Sequence, residues 1–378
     1  MYTIHTRTHT QVQEMLYGLK MAHLSCTDDS DERLAKAGEN NTFEAVRWIV
    51  GGDPEKARRP LSDILSEDFG LTLDCWMDVA GWKHGRAVDT QGFIASNDDT
   101  IVVSFRFTTS QMDWLTNLSM TTSEWEPDRD AEIGHAGHCS CVDGCVSSVI
   151  SNGKPRVHTG FYNNFMHVIP LLQKHVVEPL TQPNATPKTI YICGCSLGAA
   201  IATMAFCYVL LEVPLENLDH KLRAVTAGCP RVCDAKMQQV VKERLEELRP
   251  DDKAVLCRVV YNQDLVPHIP FDCMGFYHLD KLVYITADGE VMVNPKMPEF
   301  ASWTEVSQVV QSFQKKDNPG AVSKGLKPEE GKEEEQPSNK SQFEQECETT
   351  PGPIKDHMPY WYLTFLDKLK QREDAGEV

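Results

Sequence analysis

The sequence predicts an α/β architecture built on a mainly parallel sheet. Apolar strand and helix patterns alternate through its second half, and a sharp glycine-flanked turn joins one strand to an Ala-rich helix. Its 378 residues, 41% apolar and 8% aromatic, suffice for one large core.

Taken in order, Thr10–Leu24 carries Val12, Leu16, Leu19 and Ala22 at mixed three and four spacing, which predicts an amphipathic helix. Asp89–Ser96 and Ile101–Phe105 read as two strands around an Asn97-Asp98 turn. Strand and helix then alternate: Thr189–Cys193 strand, Ala199–Leu211 helix, Arg223–Ala227 strand, a helix near Ala235–Leu248, and Val255–Tyr261 strand. Such alternation implies parallel strands with helices on the faces of the sheet. Leu282–Thr286 and Val291–Val293 read as a hairpin across Asp288-Gly289. From about Lys315 to Pro353 the composition turns to Lys, Glu, Pro, Ser and Gly, so residues 315–353 are expected to be a disordered acidic insert. The apolar return at Tyr360-Trp361-Tyr362-Leu363 makes that stretch an insert rather than a tail, within one domain spanning 1–378.

Charge and composition exclude several classes. With 37 Lys plus Arg against 55 Asp plus Glu, the net charge is −18, which argues against a nucleic-acid partner. The longest nearly apolar run, Ala199–Leu211, falls short of the ~20 residues that cross a bilayer. Met1–Leu16 has neither the basic start nor the apolar run of a secretory leader, so a cytoplasmic protein is expected. Thirteen cysteines, an odd number, then read as reduced thiols.

The chemistry concentrates at Gly194-Cys195-Ser196-Leu197-Gly198, a G-x-S-x-G between the strand ending at Cys193 and the Ala-rich helix. In that context the glycines permit a tight turn that lifts a serine hydroxyl above the sheet at a helix N-terminus. A hydroxyl nucleophile needs a base, and the α/β-hydrolase order is Ser, acid, His. Asp264 follows the strand ending at Tyr261, where the active sites of parallel sheets lie. His268, His278 and His357 come after it, and by spacing alone the first two are equally eligible bases.

From about residue 89 to 361 the order of motifs resembles the class 3 (fungal-type) lipases of the α/β-hydrolase superfamily. Asp89-Thr90-Gln91-Gly92, Phe105-Arg106-Phe107-Thr108-Thr109-Ser110, Asp113–Leu118, His158-Thr159-Gly160-Phe161, Ala227–Val232 and Asn262–Pro267 each resemble a segment of that family. The family's late D-H-x-x-Y-F matches Asp356-His357-Met358-Pro359-Tyr360-Trp361. The resemblance therefore implies Ser196 as nucleophile, Asp264 as orienting carboxylate and His357 as general base. His278 falls on a non-catalytic position, and His268 is read as a packed or surface histidine. The oxyanion hole it implies combines the N–H of Leu197 with the N–H or hydroxyl of Thr108. Three residues depart from the family: Phe107 replaces the glycine before the oxyanion residue, Cys195 the histidine before the serine, and Ala199 the second glycine after it.

Residues 119–157 correspond to the family's lid. His135, His138, Cys139, Cys141 and Cys145 cluster there, but no second C-x-x-C pair completes a zinc frame. No metal and no cofactor is expected. The sequence thus predicts an acylglycerol-lipase-like ester hydrolase, meeting its lipid substrate by peripheral association with droplets or membranes. A catalytically impaired lipase-like binding protein and an acyltransferase using the same triad stand as alternatives.

Overall fold

The computed structural model describes residues 9–27, 41–83, 86–107, 121–127, 153–279, 281–288, 290–296, 356–357 and 362–363. An eight-stranded sheet runs in the order β1 (Thr72–Lys83), β2 (Arg86–Ser96), β3 (Thr100–Phe105), β6 (Thr189–Cys195), β7 (Lys221–Ala227), β8 (Ala254–Tyr261), β9 (Lys281–Ile285), β10 (Val291–Val293). The strands β3, β6, β7, β8 and β9 are mutually parallel, while β1, β2 and β10 add antiparallel edges. A separate hairpin pairs β4 (Thr122–Glu124) with β5 (Arg156–His158).

This order explains the layering. Each crossover moves one strand in the same direction, and right-handed crossovers of that kind deposit their helices on a single face. That face carries α4 (Thr159–Met166), α5 (Leu197–Glu212) and α6 (Ala235–Leu248), packed on Ile190, Ile192, Leu222, Ala224 and Leu256. The opposite face would be bare without the N-terminal helices α1 (His9–Leu24), α2 (Asn41–Ile49) and α3 (Leu61–Phe69). They cover Cys193, Cys195, Val225, Ala227, Val259 and Tyr261, and Tyr362 and Leu363 join the same cluster. The two-faced coverage expected from sequence is therefore met, but the second layer comes from the N-terminus and the C-terminal return. Helix α5 is buried from Leu197 to Leu210, which accounts for its lack of an amphipathic pattern.

The predicted strands and helices are observed, with β6 and α5 meeting directly at the elbow. Of the lid-like stretch 119–157, the hairpin strands are described, and Trp125 stacks on Phe165 with ring centroids 5.6 Å apart. His135, His138, Cys139, Cys141, Cys145 and the acidic insert 315–353 lie outside the described residues.

Two buried histidines give the fold an acid-sensitive stability. Burial pushes His23 down to about 4, and burial with the Arg231 charge does the same to His268. Both values lie below the ordinary 6.5, so the unfolded chain binds these protons first. Their contribution is fully present above pH 6.5 and is lost as pH falls from 6.5 towards 4, at about 1.4 kcal/mol per pH unit for each group. Urea titrations at pH 7.5, 6 and 5 are expected to show this loss, with a shallower dependence in His23→Leu; an identical dependence would exclude His23 as a source.

Candidate active site

The five strands that run parallel end on one side of the sheet, and Ser196, Asp264 and His357 lie at that side. Strand β6 ends at Cys195 and α5 begins at Leu197, leaving Ser196 at φ 58, ψ −123. For a non-glycine residue that conformation costs on the order of 1–3 kcal/mol, so the packing around it must impose it. The flanking glycines show how. A Cβ on Gly194 would stand 2.3 Å from the Gly198 carbonyl oxygen, and one on Gly198 would stand 2.2 Å from that of Phe105. Only with two missing side chains do β3, β6 and α5 approach this closely. The Ser196 Oγ is buried and, among the described residues, has no hydrogen-bond partner. Leu197 is the first residue of α5, where helix geometry supplies no intrahelical acceptor for the N–H and the helix dipole favours negative charge.

Beyond β8, Asp264 is fully buried. Its Oδ1 accepts the Val266 N–H at 2.9 Å, and its Oδ2 accepts His357 Nδ1–H at 2.8 Å and the Tyr362 hydroxyl. With Nδ1 committed to a carboxylate that can only accept, Nε2 carries the lone pair of the neutral ring. That Nε2 is buried without a partner among the described residues. The ring packs against Gly228, where φ is +58 and a Cβ would come within 2.7 Å of His357 Nδ1 and 2.8 Å of Asp264 Oδ2. Gly228 follows Ala227, whose carbonyl accepts the Ser196 N–H at 2.9 Å. The end of β7 thus carries the nucleophile on one side and the imidazole on the other.

Two residues to which sequence reasoning gave no role, Asp356 and Tyr362, hold His357 in place. Asp356 Oδ2 accepts from Asn262 Nδ2 at 2.9 Å and from the Gln263 N–H at 3.2 Å, clamping the C-terminal return onto the loop that bears Asp264. Tyr362 is fully buried, and its hydroxyl also accepts the Tyr261 N–H at 3.2 Å. Burial, with the neighbouring Asp264 carboxylate, pushes that phenol well above its ordinary range, so it remains an O–H donor. Hydrogen bonds to charged groups contribute about 1.5–3 kcal/mol. Tyr362→Phe, which keeps the ring and removes the donor, is therefore expected to lower ester turnover roughly tenfold or more at unchanged KM. Steady-state kinetics beside a thermal melt would check it.

The other histidines are placed elsewhere. His278 Nε2 donates to the Pro267 carbonyl at 2.7 Å, and burial with Arg258 and Arg231 nearby holds the ring well below its ordinary range. His268 is buried, as a packed histidine should be. Thr108 lies outside the described residues. Cys195 is buried beneath α1, and Ala199 is buried in the first turn of α5. Burial pushes the Cys195 thiol well up and Cys229 to about 11, so both stay protonated near neutrality and offer no thiolate beside Ser196.

A family model described as Lipase (class 3) matches residues 102–274. The triacylglycerol lipase OBL1 of Ricinus communis is 33% identical over 95 residues, which are 25% of this chain and 17% of that protein. A lipase of Rhizopus niveus is 28% identical over 193 residues, which are 50% of this chain and 40% of that lipase. The chain thus spans less than half the length of these curated relatives. Among solved structures, a mono- and diacylglycerol lipase from Aspergillus oryzae aligns with a TM-score of 0.49 at 21% identity, over 80% of this chain and 92% of the other. The matched segment, which runs from β3 through the elbow and Asp264, is similar to the class 3 lipases.

Proposed function

We infer that this protein is a serine ester hydrolase acting on lipid acyl esters. The observation that carries this is the placing of two buried atoms, Ser196 Oγ and His357 Nε2, each without a hydrogen-bond partner among the described residues, at the end of β7, with the imidazole anchored on Asp264. Ser196 Oγ attacks the ester carbonyl carbon while its proton passes to His357 Nε2. The Leu197 N–H and Thr108 bind the oxyanion, and Asp264 stabilises the imidazolium. Collapse of the tetrahedral adduct breaks the bond to the alcohol, which leaves with the proton from Nε2. Water, deprotonated by the same nitrogen, then attacks the acyl-enzyme, and the fatty acid departs as Ser196 regains its proton.

Acylglycerols are the proposed substrates, supported by the family and by the name of the Ricinus communis relative. The proposed setting is the cytoplasmic surface of lipid droplets or membranes; among the described residues no helix is long and apolar enough to cross a membrane. A fluorophosphonate probe is expected to modify Ser196, and the enzyme to release fatty acid from acylglycerol emulsions. Phe107, in place of a glycine beside the oxyanion turn, motivates the second reading, a lipase-like binding protein without turnover. A folded sample that binds lipid but takes no label would favour it. Appearance of an ester of an added alcohol, in place of free acid, would instead favour acyl transfer by the same residues.

A further inference from the structure

Four consecutive backbone carbonyls follow the turn that bears Asp264, and each accepts a hydrogen bond from outside its own loop. His278 Nε2 donates to Pro267 O at 2.7 Å. The other three belong to one residue. The Arg231 N–H donates to Ile269 O at 2.8 Å, and its Nη1 donates to Pro270 O at 2.8 Å and to His268 O. Residues 264–270 are all buried, where a carbonyl that loses its donor has no water to replace it.

Bonds within the loop carry this grip back to the carboxylate. The His268 N–H donates to Leu265 O at 3.0 Å and the Ile269 N–H to Val266 O at 3.1 Å, closing a 3₁₀ turn over Val266–His268. The Val266 N–H at the head of that turn is the donor to Asp264 Oδ1. A shift of the carbonyl end therefore turns the N–H end, and with it the carboxylate. Arg231 is itself fixed, because the loop after β7 is seamed to β5 by the His158 N–H to Val232 O at 2.8 Å and the Asp234 N–H to Arg156 O at 2.9 Å. The same loop carries Gly228, against which His357 packs.

We propose that Arg231 is a positioning residue for the Asp264–His357 pair, fixing the loop that carries Asp264 relative to the loop that carries Gly228. This rests on the ester-hydrolase reading above. The imidazole meets both loops, with Asp264 Oδ2 at 2.8 Å from Nδ1 and Gly228 beneath the ring edge, so their separation decides whether the carboxylate faces Nδ1–H. Asp264 acts on the imidazolium of the transition state, and its displacement weakens that state more than the bound ester. Arg231 acts through the loop and does not itself touch the imidazole.

The test uses the full-length protein, a soluble short-chain ester, and the low-field proton resonance of His357 Nδ1–H, assigned by its loss in His357→Ala. Arg231→Met keeps the length of the side chain and removes its donors. It is expected to lower kcat about 10–10²-fold with KM within twofold, the scale at which a misplacement of about 1 Å acts. The resonance should move upfield as the bond to Asp264 weakens. Arg231→Lys, whose single nitrogen can also donate to two carbonyls, should recover most of both. His278→Ala frees Pro267 O in the same loop and serves as the control for lost stability alone, with the resonance unmoved and kcat within a few fold. If Arg231→Met fails to fold, Arg231→Gln, whose shorter amide holds at most one of the two carbonyls, should show the same kcat-specific loss and upfield shift. An unmoved resonance with unchanged kcat in folded Arg231→Met, or in Arg231→Gln where Arg231→Met does not fold, would overturn the proposal, as would equal changes in His278→Ala. A wild-type protein that neither labels nor turns over would overturn the hydrolase reading instead, and the resonance would still decide whether Arg231 positions the pair.

Discussion

Ser196→Ala is expected to abolish fluorophosphonate labelling and to lower kcat/KM for any ester substrate by about 10⁴–10⁶, the range seen when a triad nucleophile is removed. The fold should be untouched. Ser196 Oγ has no hydrogen-bond partner among the described residues, so deleting it breaks no bond, and alanine fits the space the hydroxyl occupied. The strained φ of 58 is imposed by the Gly194–Gly198 and Gly198–Phe105 approaches, which remain. A melting temperature within a degree or two of wild type, with activity gone, would locate the loss in chemistry. Labelling that persists in Ser196→Ala would transfer the nucleophile to another residue; the buried thiols nearby are poor candidates because Cys195 and Cys229 are held protonated.

What sequence reasoning recovers depends on how local the determining interaction is. The strands β6, β7 and β8 are buried on both faces and read as nearly unbroken apolar runs, so their positions and parallel order were legible. The 12-residue β1 was not. As an edge strand it exposes Asp74 and Asp78, and only Met77 among residues 72–79 is fully buried, which blurs the two-residue alternation. Helices α2 and α3, nine residues each, are shorter than the roughly 11–18-residue window in which an apolar stripe can be counted.

The same distinction divides the site. Ser196 and Asp264 sit at strand ends inside local motifs, and each is identifiable from a few neighbours. His357 reaches Asp264 across 93 residues and Tyr362 across 98, separations at which spacing carries no information. The histidine was reached only through the resemblance to a family segment. Tyr362 belongs to no segment quoted for its chemistry, and only packing brings it to the site. The second layer followed the same rule. Crossovers in one direction leave a face that some distant element must cover, and which element does so cannot be read from the strands themselves.

His357→Ala is expected to lose about 10⁴-fold in turnover while remaining folded, whereas His278→Ala keeps activity within a few fold and loses stability instead. The contrast follows from the partners of each ring. His357 places Nδ1–H on a carboxylate and leaves Nε2 without a partner among the described residues, the arrangement of a base that must take and return a proton. His278 spends its Nε2–H on the Pro267 carbonyl, and its own backbone oxygen accepts from Gln238 at 2.6 Å, so the ring ties the loop after Asp264 to α6. Removing the ring frees one carbonyl, a cost of about 1 kcal/mol, and leaves the Asp264–His357 pair in place. Chemical rescue sharpens the comparison. Added imidazole should restore part of the lost rate to His357→Ala, because the cavity it leaves adjoins Asp264 and Gly228, and should do nothing for His278→Ala. Inactivity of folded His278→Ala together with turnover by His357→Ala would reverse the assignment, and the C-terminal return would then serve only to cover the α1 face of the sheet.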